Sequence, residues 1–243
     1  MSGAPDDWRG AAGPSLSGIA VVSFDVGGTL IDPWPSVGHV YAEVAAECGL
    51  PRIAPELINA QFIAAWRAKT QFDYSRAAWA NLVTAAFGGA VELYGIESAL
   101  FPKLYDRFKD PAVWRVHPDV LPTLETLTRA GFRLAVISNW DERLRPLLSG
   151  LRLARYFSHI EVSSESGFQK PAREIFDRAA LGLGVNPAAV MQVGDSQVED
   201  FEGALGAGMR AVLLDRRGGV RGPDRISSLR ELVAPEPDRN HLH

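Results

Sequence analysis

Apolar residues along the chain fall into short, continuous runs, and four of these runs stop at a polar side chain. Residues 19–24 end at Asp25, and residues 132–137 end at Ser138-Asn139. Residues 190–193 end at Gly194-Asp195-Ser196, and residues 209–214 end at Asp215. A weaker run covers residues 156–162. Unbroken β-branched and aliphatic character over so few residues predicts strands buried on both faces. Between them, residues 118–130, 142–151, 171–183 and 198–207 carry apolar positions at helical spacing. Strand alternating with helix predicts an α/β fold with a doubly wound parallel sheet. In such sheets ligands bind beyond the carboxyl ends of the strands, so the polar residues that stop the runs are expected to converge.

The stretch from about residue 35 to 108 breaks this alternation. It is rich in Ala, Leu and aromatic residues, with helix-spaced Val40, Val44 and Cys48, then Leu57, Ala60, Ile63 and Ala64. It predicts a small all-helical domain inserted between the first two core strands. Pro33-Trp34-Pro35 and Asp110-Pro111 would be its hinges, because proline stiffens and interrupts elements. Trp66, Trp79, Phe62, Phe72, Phe87 and Tyr94 crowd this insert and are read as its core. The expected organisation is a flexible leader over 1–17, a core over 18–34 and 111–235, a cap over 35–110 and a loose tail over 236–243.

Bulk properties narrow the function. With 243 residues and 47% hydrophobic content, the chain can bury a sizeable core. A single cysteine, Cys48, excludes a disulfide framework and suits a reducing compartment. The net charge of -4, without a basic stripe, argues against nucleic acid as a partner. No apolar run approaches the roughly 20 residues that cross a bilayer, so cytoplasm is the expected location and no membrane partner is expected. Arg216, Arg217 and Arg221 read as a solvated basic loop.

Four signals carry chemistry. Asp25 stands at a strand end before Gly27 and Gly28, on a tight turn that can bring N–H groups to an anion. Ser138 offers a hydroxyl to a phosphoryl oxygen, assisted by the Asn139 backbone N–H. Lys170-Pro171 opens a helical pattern, and its ammonium can neutralise neighbouring carboxylates. Asp195 and Asp200 straddle a strand-to-helix turn, where Asp195 can reach an oxygen-seeking cation such as Mg²⁺ and Asp200 can fix the turn or the lysine. Taken singly, each has a structural alternative: a turn cap at Asp25, a helix-capping turn at Ser138-Asn139, a solvated lysine at 170, an N-cap at Asp195.

Jointly, Asp25-x-x-x-Thr29, Ser138, Lys170-Pro171 and Gly194-Asp195-(x)4-Asp200 resemble the four ordered motifs of the haloacid dehalogenase superfamily, over roughly residues 18–232. The resemblance implies a Rossmann-like core with a small helical cap. It further implies a Mg²⁺-dependent hydrolase, acting as a phosphatase on a small phosphorylated molecule through an aspartyl-phosphate at Asp25. Asp25, the Gly27 carbonyl and Asp195 would hold the metal. Thr29, Ser138, Asn139 and Lys170 would bind the phosphate, with Asp200 supporting. Monomer and homodimer both remain open.

One position departs from the resemblance. Phosphatases of the superfamily carry an aspartate two residues after the nucleophile, and here that position is Gly27. General acid–base help contributes about 10²- to 10⁴-fold, so turnover of alkyl phosphates should be slow. Acyl or aryl phosphates, which need little protonation, escape this cost, and His39 on the first cap helix is the candidate substitute acid. A phosphometabolite-binding or scaffold protein is the alternative. Phosphonoacetaldehyde hydrolase-like chemistry would need a cap lysine, and Lys69, Lys103 and Lys109 lie in no context that marks one. A 2-haloacid dehalogenase would not retain the acidic fourth motif.

Overall fold

The computed structural model describes residues 13–70, 72–88, 97–218 and 222–233. Tyr94, Arg221, most of the expected leader and the expected tail lie outside the described residues. Two compact units emerge: Met1–Ile31, Val116–Asn139 and Arg152–His243 form the first, and Asp32–Arg115 with Trp140–Leu151 form the second.

The first unit is built on a parallel six-stranded sheet. Its strands are β1 (Val21–Phe24), β4 (Arg133–Ser138), β5 (Phe157–Val162), β6 (Val190–Gly194), β7 (Arg210–Leu214) and β8 (Arg225–Ile226), in the order β5-β4-β1-β6-β7-β8. All four residues of β1 and all five of β6 are buried, which is why their sequences do not alternate. Helix α5 (Val120–Arg129) presents Val120, Leu124 and Leu127 to the interior. Helix α8 (Arg173–Leu183) buries Ile175, Phe176, Ala179, Ala180 and Leu183 against Val21, Ala135, Ile137 and Val190. The chain builds outward from β1 through β4 to β5, then crosses to β6 on the other side of β1. This reversal creates a switch-point crevice. In register, Phe24 stands level with Val136 on one neighbour and Val193 on the other. Asp25, Ser138 and Asp195 therefore leave the sheet at one end.

Four of the five predicted strands match the apolar runs closely, and the weak run is β5. The two-residue β8 has no comparable sequence signal. The helical pattern at 198–207 resolves into a π-helical turn, Gln197–Glu202, followed by the short α9 (Gly203–Gly206).

The second unit contains α1 (Val37–Glu47), α2 (Pro55–Ala68), α3 (Arg76–Phe87) and α4 (Glu97–Arg107). Tyr41, Val44, Ile58, Ala86, Phe87, Leu100 and Leu104 form its core, with Phe62 and Cys48 packed against it. Two short strands, β2 (Ile31–Pro33) and β3 (Trp114–Val116), pair where hinges are expected. The unit also takes in residues 140–151, including α6 (Leu144–Gly150), which the sequence pattern assigns to the core. Asp141 is fully buried and binds Arg143 through two contacts of 2.8 and 2.6 Å. The Arg143 guanidinium also lies over the Tyr105 ring at 3.8 Å and the Trp79 ring at 5.1 Å. Among the described residues no helix is long and apolar enough to cross a membrane.

Candidate active site

The sheet register delivers Asp25, and the turn after it shapes its surroundings. The Asp25 N–H donates to the Val193 carbonyl (2.9 Å), extending the β1–β6 ladder by one bond. The chain then folds back sharply: the N–H groups of Leu30 and Ile31 both donate to the Val26 carbonyl. Gly28 has φ +75°, a conformation that favours glycine, and a Cβ there would collide with the Asp195 carboxylate. Gly194 is needed for a similar reason, since a Cβ there would meet the Asp200 carboxyl.

Asp25 is nearly buried and its Oδ1 accepts two hydrogen bonds, from Ser138 Oγ (2.9 Å) and Lys170 Nζ (2.7 Å). The Lys170 ammonium also reaches Asp200 Oδ1 at 2.5 Å. Lys170 is 2% exposed, which removes the solvated-lysine alternative. Asp200 is held further by Gln192 Nε2 (3.0 Å) and the Ser196 N–H (3.2 Å). Carboxylate oxygens of Asp25, Asp195 and Asp200 lie within 4.8 Å of one another. Ser196, not Asp195, caps the following helical turn, because its hydroxyl accepts the Glu199 N–H. The Asp195 carboxylate is thus left for the cluster.

The charges do not balance. Three carboxylates face one ammonium, an excess of two negative charges. Burial, opposed by Lys170 and reinforced by Asp200, holds the Asp25 carboxyl above its ordinary range. Asp195 is raised as well, by desolvation and by the charges of Asp25 and Asp200. Its side chain remains exposed, so repulsion is the firmer cause. Burial would lower the Lys170 pKa, but Asp200 and Asp25 outweigh it and raise it. An oxygen-seeking divalent cation matches this set: hard carboxylate donors, close together, with uncompensated charge.

Several residues around the cluster have contacts beyond those the four motifs suggest. The Asn139 side chain brackets the Lys170 backbone, accepting its N–H at 2.7 Å and donating to its carbonyl at 2.9 Å. It also donates to Glu199 Oε2 at 3.1 Å. Gln192 is fully buried in β6 and accepts from Ser23 Oγ at 2.6 Å while supporting Asp200. A glutamine inside a wholly buried strand is a legible signal, because such a group must find partners. Thr29 is buried, and its Oγ1 has no partner among the described residues. Arg216 is not solvated as expected; it binds Asp119 and the Thr29 carbonyl. His39 lies on α1 of the second unit, its Nδ1 2.9 Å from Ser36 Oγ.

The profile of the haloacid dehalogenase-like hydrolase family matches residues 19–208. The chain belongs to this family. A zebrafish (Danio rerio) protein named haloacid dehalogenase-like hydrolase domain-containing protein 3 is 34% identical over 210 residues, 82% of this chain and 86% of that protein. A phosphoserine phosphatase of Thermus thermophilus is 34% identical over 137 residues, 53% of this chain and 54% of its own. Among solved structures, a haloacid dehalogenase-type phosphatase from Thermococcus onnurineus is similar with TM-score 0.61 and 26% identity, covering 88% of this chain and 95% of that one. A 2-haloacid dehalogenase from Pseudomonas syringae matches equally, with TM-score 0.61 and 26% identity over 88% and 96%. The family makes the chain a haloacid dehalogenase-like hydrolase, and overall likeness does not choose between its chemistries.

Proposed function

We propose that the chain is a Mg²⁺-dependent phosphatase for a small phosphorylated molecule, with Asp25 as the nucleophile. The observation that carries this reading is the meeting of Asp25, Lys170, Asp195 and Asp200 in one cluster with surplus negative charge. A dehalogenase, whose substrate carbon carries no phosphoryl charge and whose halide leaves as a stable anion, has no need of a cation to bring two anions together. Phosphatases stand among the curated relatives, while the similar solved structures include both phosphatases and dehalogenases, so the choice rests on the cluster.

Ser138 and Lys170 both bind Oδ1 of Asp25, so Oδ2 keeps its lone pairs for attack on phosphorus. The P–O bond to the leaving group breaks as the bond to Asp25 forms, and the leaving oxygen takes the electron pair. Water then attacks phosphorus, releasing inorganic phosphate, a proton and the free Asp25 carboxylate. Lys170 and Ser138 donate to the transferring group, and Asp200 and Asn139 keep Lys170 in place. Asp25, Asp195 and the Gly27 carbonyl would hold Mg²⁺, which shields negative charge so that two anions can approach.

Gly27 has no side chain to protonate the leaving oxygen, so acyl and aryl phosphates should turn over faster than alkyl phosphates. The test is a panel of aryl, acyl and alkyl phosphates assayed with Mg²⁺. Turnover is expected on the activated esters and should vanish in Asp25→Asn. Gly27→Asp should raise alkyl ester turnover by about 10²-fold and aryl turnover by less. Silence on every ester, or chloride release from 2-chloropropionate without metal, would defeat the phosphatase reading.

A further inference from the structure

The turn that carries Asp25 is held from behind by a residue outside the four motifs. Between Val26 and Ile31 the chain doubles back within six residues, and two of its carbonyls accept hydrogen bonds from residues outside the carboxylate cluster. The Leu30 carbonyl accepts the His117 N–H at 3.1 Å. The Thr29 carbonyl accepts Arg216 Nη2 at 2.6 Å. Arg216 is itself gripped by Asp119 through contacts of 2.9 and 3.1 Å. Asp119, 5% exposed, also accepts Ser228 Oγ at 2.8 Å and the Leu229 N–H at 2.9 Å. Ser228 and Glu231 close a reciprocal capping box there, so the far end of the chain of contacts is rigid.

Four remote segments therefore meet at the Asp119–Arg216 pair: the nucleophile turn through Arg216, the turn at 228–231 through Asp119, the entry to α5 and the exit of β7. This arrangement makes poor sense as a device for stability alone. Arg216 Nε is buried without a partner among the described residues, and buried ion pairs contribute little net stability against the desolvation of their members. What the planar fork does supply is direction: Asp119 holds both terminal nitrogens, and Nη2, so fixed, also donates to the Thr29 carbonyl.

We infer that Arg216, braced by Asp119, is a positioning residue that holds the Thr29 carbonyl and so sets the turn presenting Asp25. Arg216 touches neither the carboxylate cluster nor, on this reading, the substrate; it acts through the backbone. Its consequence for turnover rests on the phosphatase reading above, whereas its effect on the turn does not.

The test compares the full chain with Arg216→Ala, Arg216→Lys and Asp119→Asn by amide hydrogen exchange and by steady-state kinetics on an aryl phosphate with Mg²⁺. In Arg216→Ala, exchange should accelerate in residues 26–31 and stay unchanged in β6. Displacement of a reacting group by about 1 Å costs on the order of 10²-fold, so kcat should fall by about that factor with a much smaller change in KM. The Arg216 side chain is 21% exposed, which leaves an entry for a small cation. Guanidinium below denaturing concentration should therefore restore part of the lost kcat in Arg216→Ala. Arg216→Lys should recover part of it without rescue, since an ammonium cannot grip both Asp119 oxygens bidentately while reaching Thr29. Exchange that is unaltered at 26–31, or that rises evenly through the sheet, overturns the inference. A folded Arg216→Ala that guanidinium leaves unchanged overturns it too. If wild type hydrolyses no ester at all, the phosphatase reading fails, and the exchange pattern alone decides the role of Arg216.

Discussion

Each unit buries a salt-bridged cluster, and the two are built to opposite ends. In the second unit, Asp141 and Arg143 balance one against one, bidentate, with the guanidinium also bound to the Tyr105 carbonyl and lying over the Tyr105 and Trp79 rings. The buried carboxylate and the buried guanidinium there neutralise each other. In the first unit, one ammonium serves three carboxylates, and two of those carboxylates are pushed toward protonation. Imbalance of this kind is what a reactive, cation-seeking site requires, and it is maintained against stability by the surrounding fold. The comparison teaches that burial of an ion pair says little by itself. The charge count around the pair separates a fastener from a candidate reaction centre.

Removing the single cation from each cluster gives the sharpest contrast. Lys170→Met should reduce turnover of aryl phosphates by about 10²- to 10³-fold, the usual cost of losing one donor to developing charge. Arg143→Met should leave Asp141 buried and unpaired, destabilising the fold by about 3–5 kcal/mol in chemical denaturation. That loss should be the same with and without Mg²⁺. Pairing it with Asp141→Leu should recover most of the stability; failure to recover would mean that Arg143 acts through more than its charge.

Mg²⁺ probes the imbalance more gently. At about 100 times its dissociation constant, a cation bound only to the folded state adds about 2.7 kcal/mol. This gain should appear in the melting of wild type and disappear in Asp195→Asn. A gain that survives Asp195→Asn would place the ion elsewhere.

The smallest expected effect concerns pH and a balanced pair in the first unit. Burial alone would raise the Asp119 pKa, but hydrogen bonds from Arg216, Ser228 and the Leu229 N–H outweigh it and lower it. A carboxyl with a depressed folded pKa stabilises fully above its unfolded value, near 3.9, and that contribution fades as pH falls through the folded value. Asp119→Asn should therefore be less stable than wild type at neutral pH, with the gap narrowing below about pH 4. A gap that stays constant into acid would show that Asp119 acts by shape and not by charge.

Much of this was legible from residue order. The buried runs, their polar stops at Asp25, Ser138 and Asp195, and the helical insert follow from patterning and local chemistry. They needed no coordinates because periodicity and strand-end polarity are local properties. Gln192 was half-legible, a polar residue in an apolar run whose partner could not be named. Arg216 was misread, since a run of arginines after a strand looks solvated until a distant aspartate is folded against it. The π-helical turn at Gln197–Glu202 was likewise hidden, because its apolar spacing imitates an α-helix.

By itself, then, the order of amino acids determined which side chains are candidates for chemistry and which strands deliver them, because both are written at short range. Only the tertiary structure decided that Lys170 lies between Asp25 and Asp200, and that Asn139 and Gln192 hold the members in place. It alone decided that Arg216 reaches Thr29. The reason is physical: apart from Gln192 with Asp200, eight positions away, these contacts join residues 30 to nearly 190 positions apart, and hydrogen bonds and charge balance depend on distances in space that no local pattern encodes.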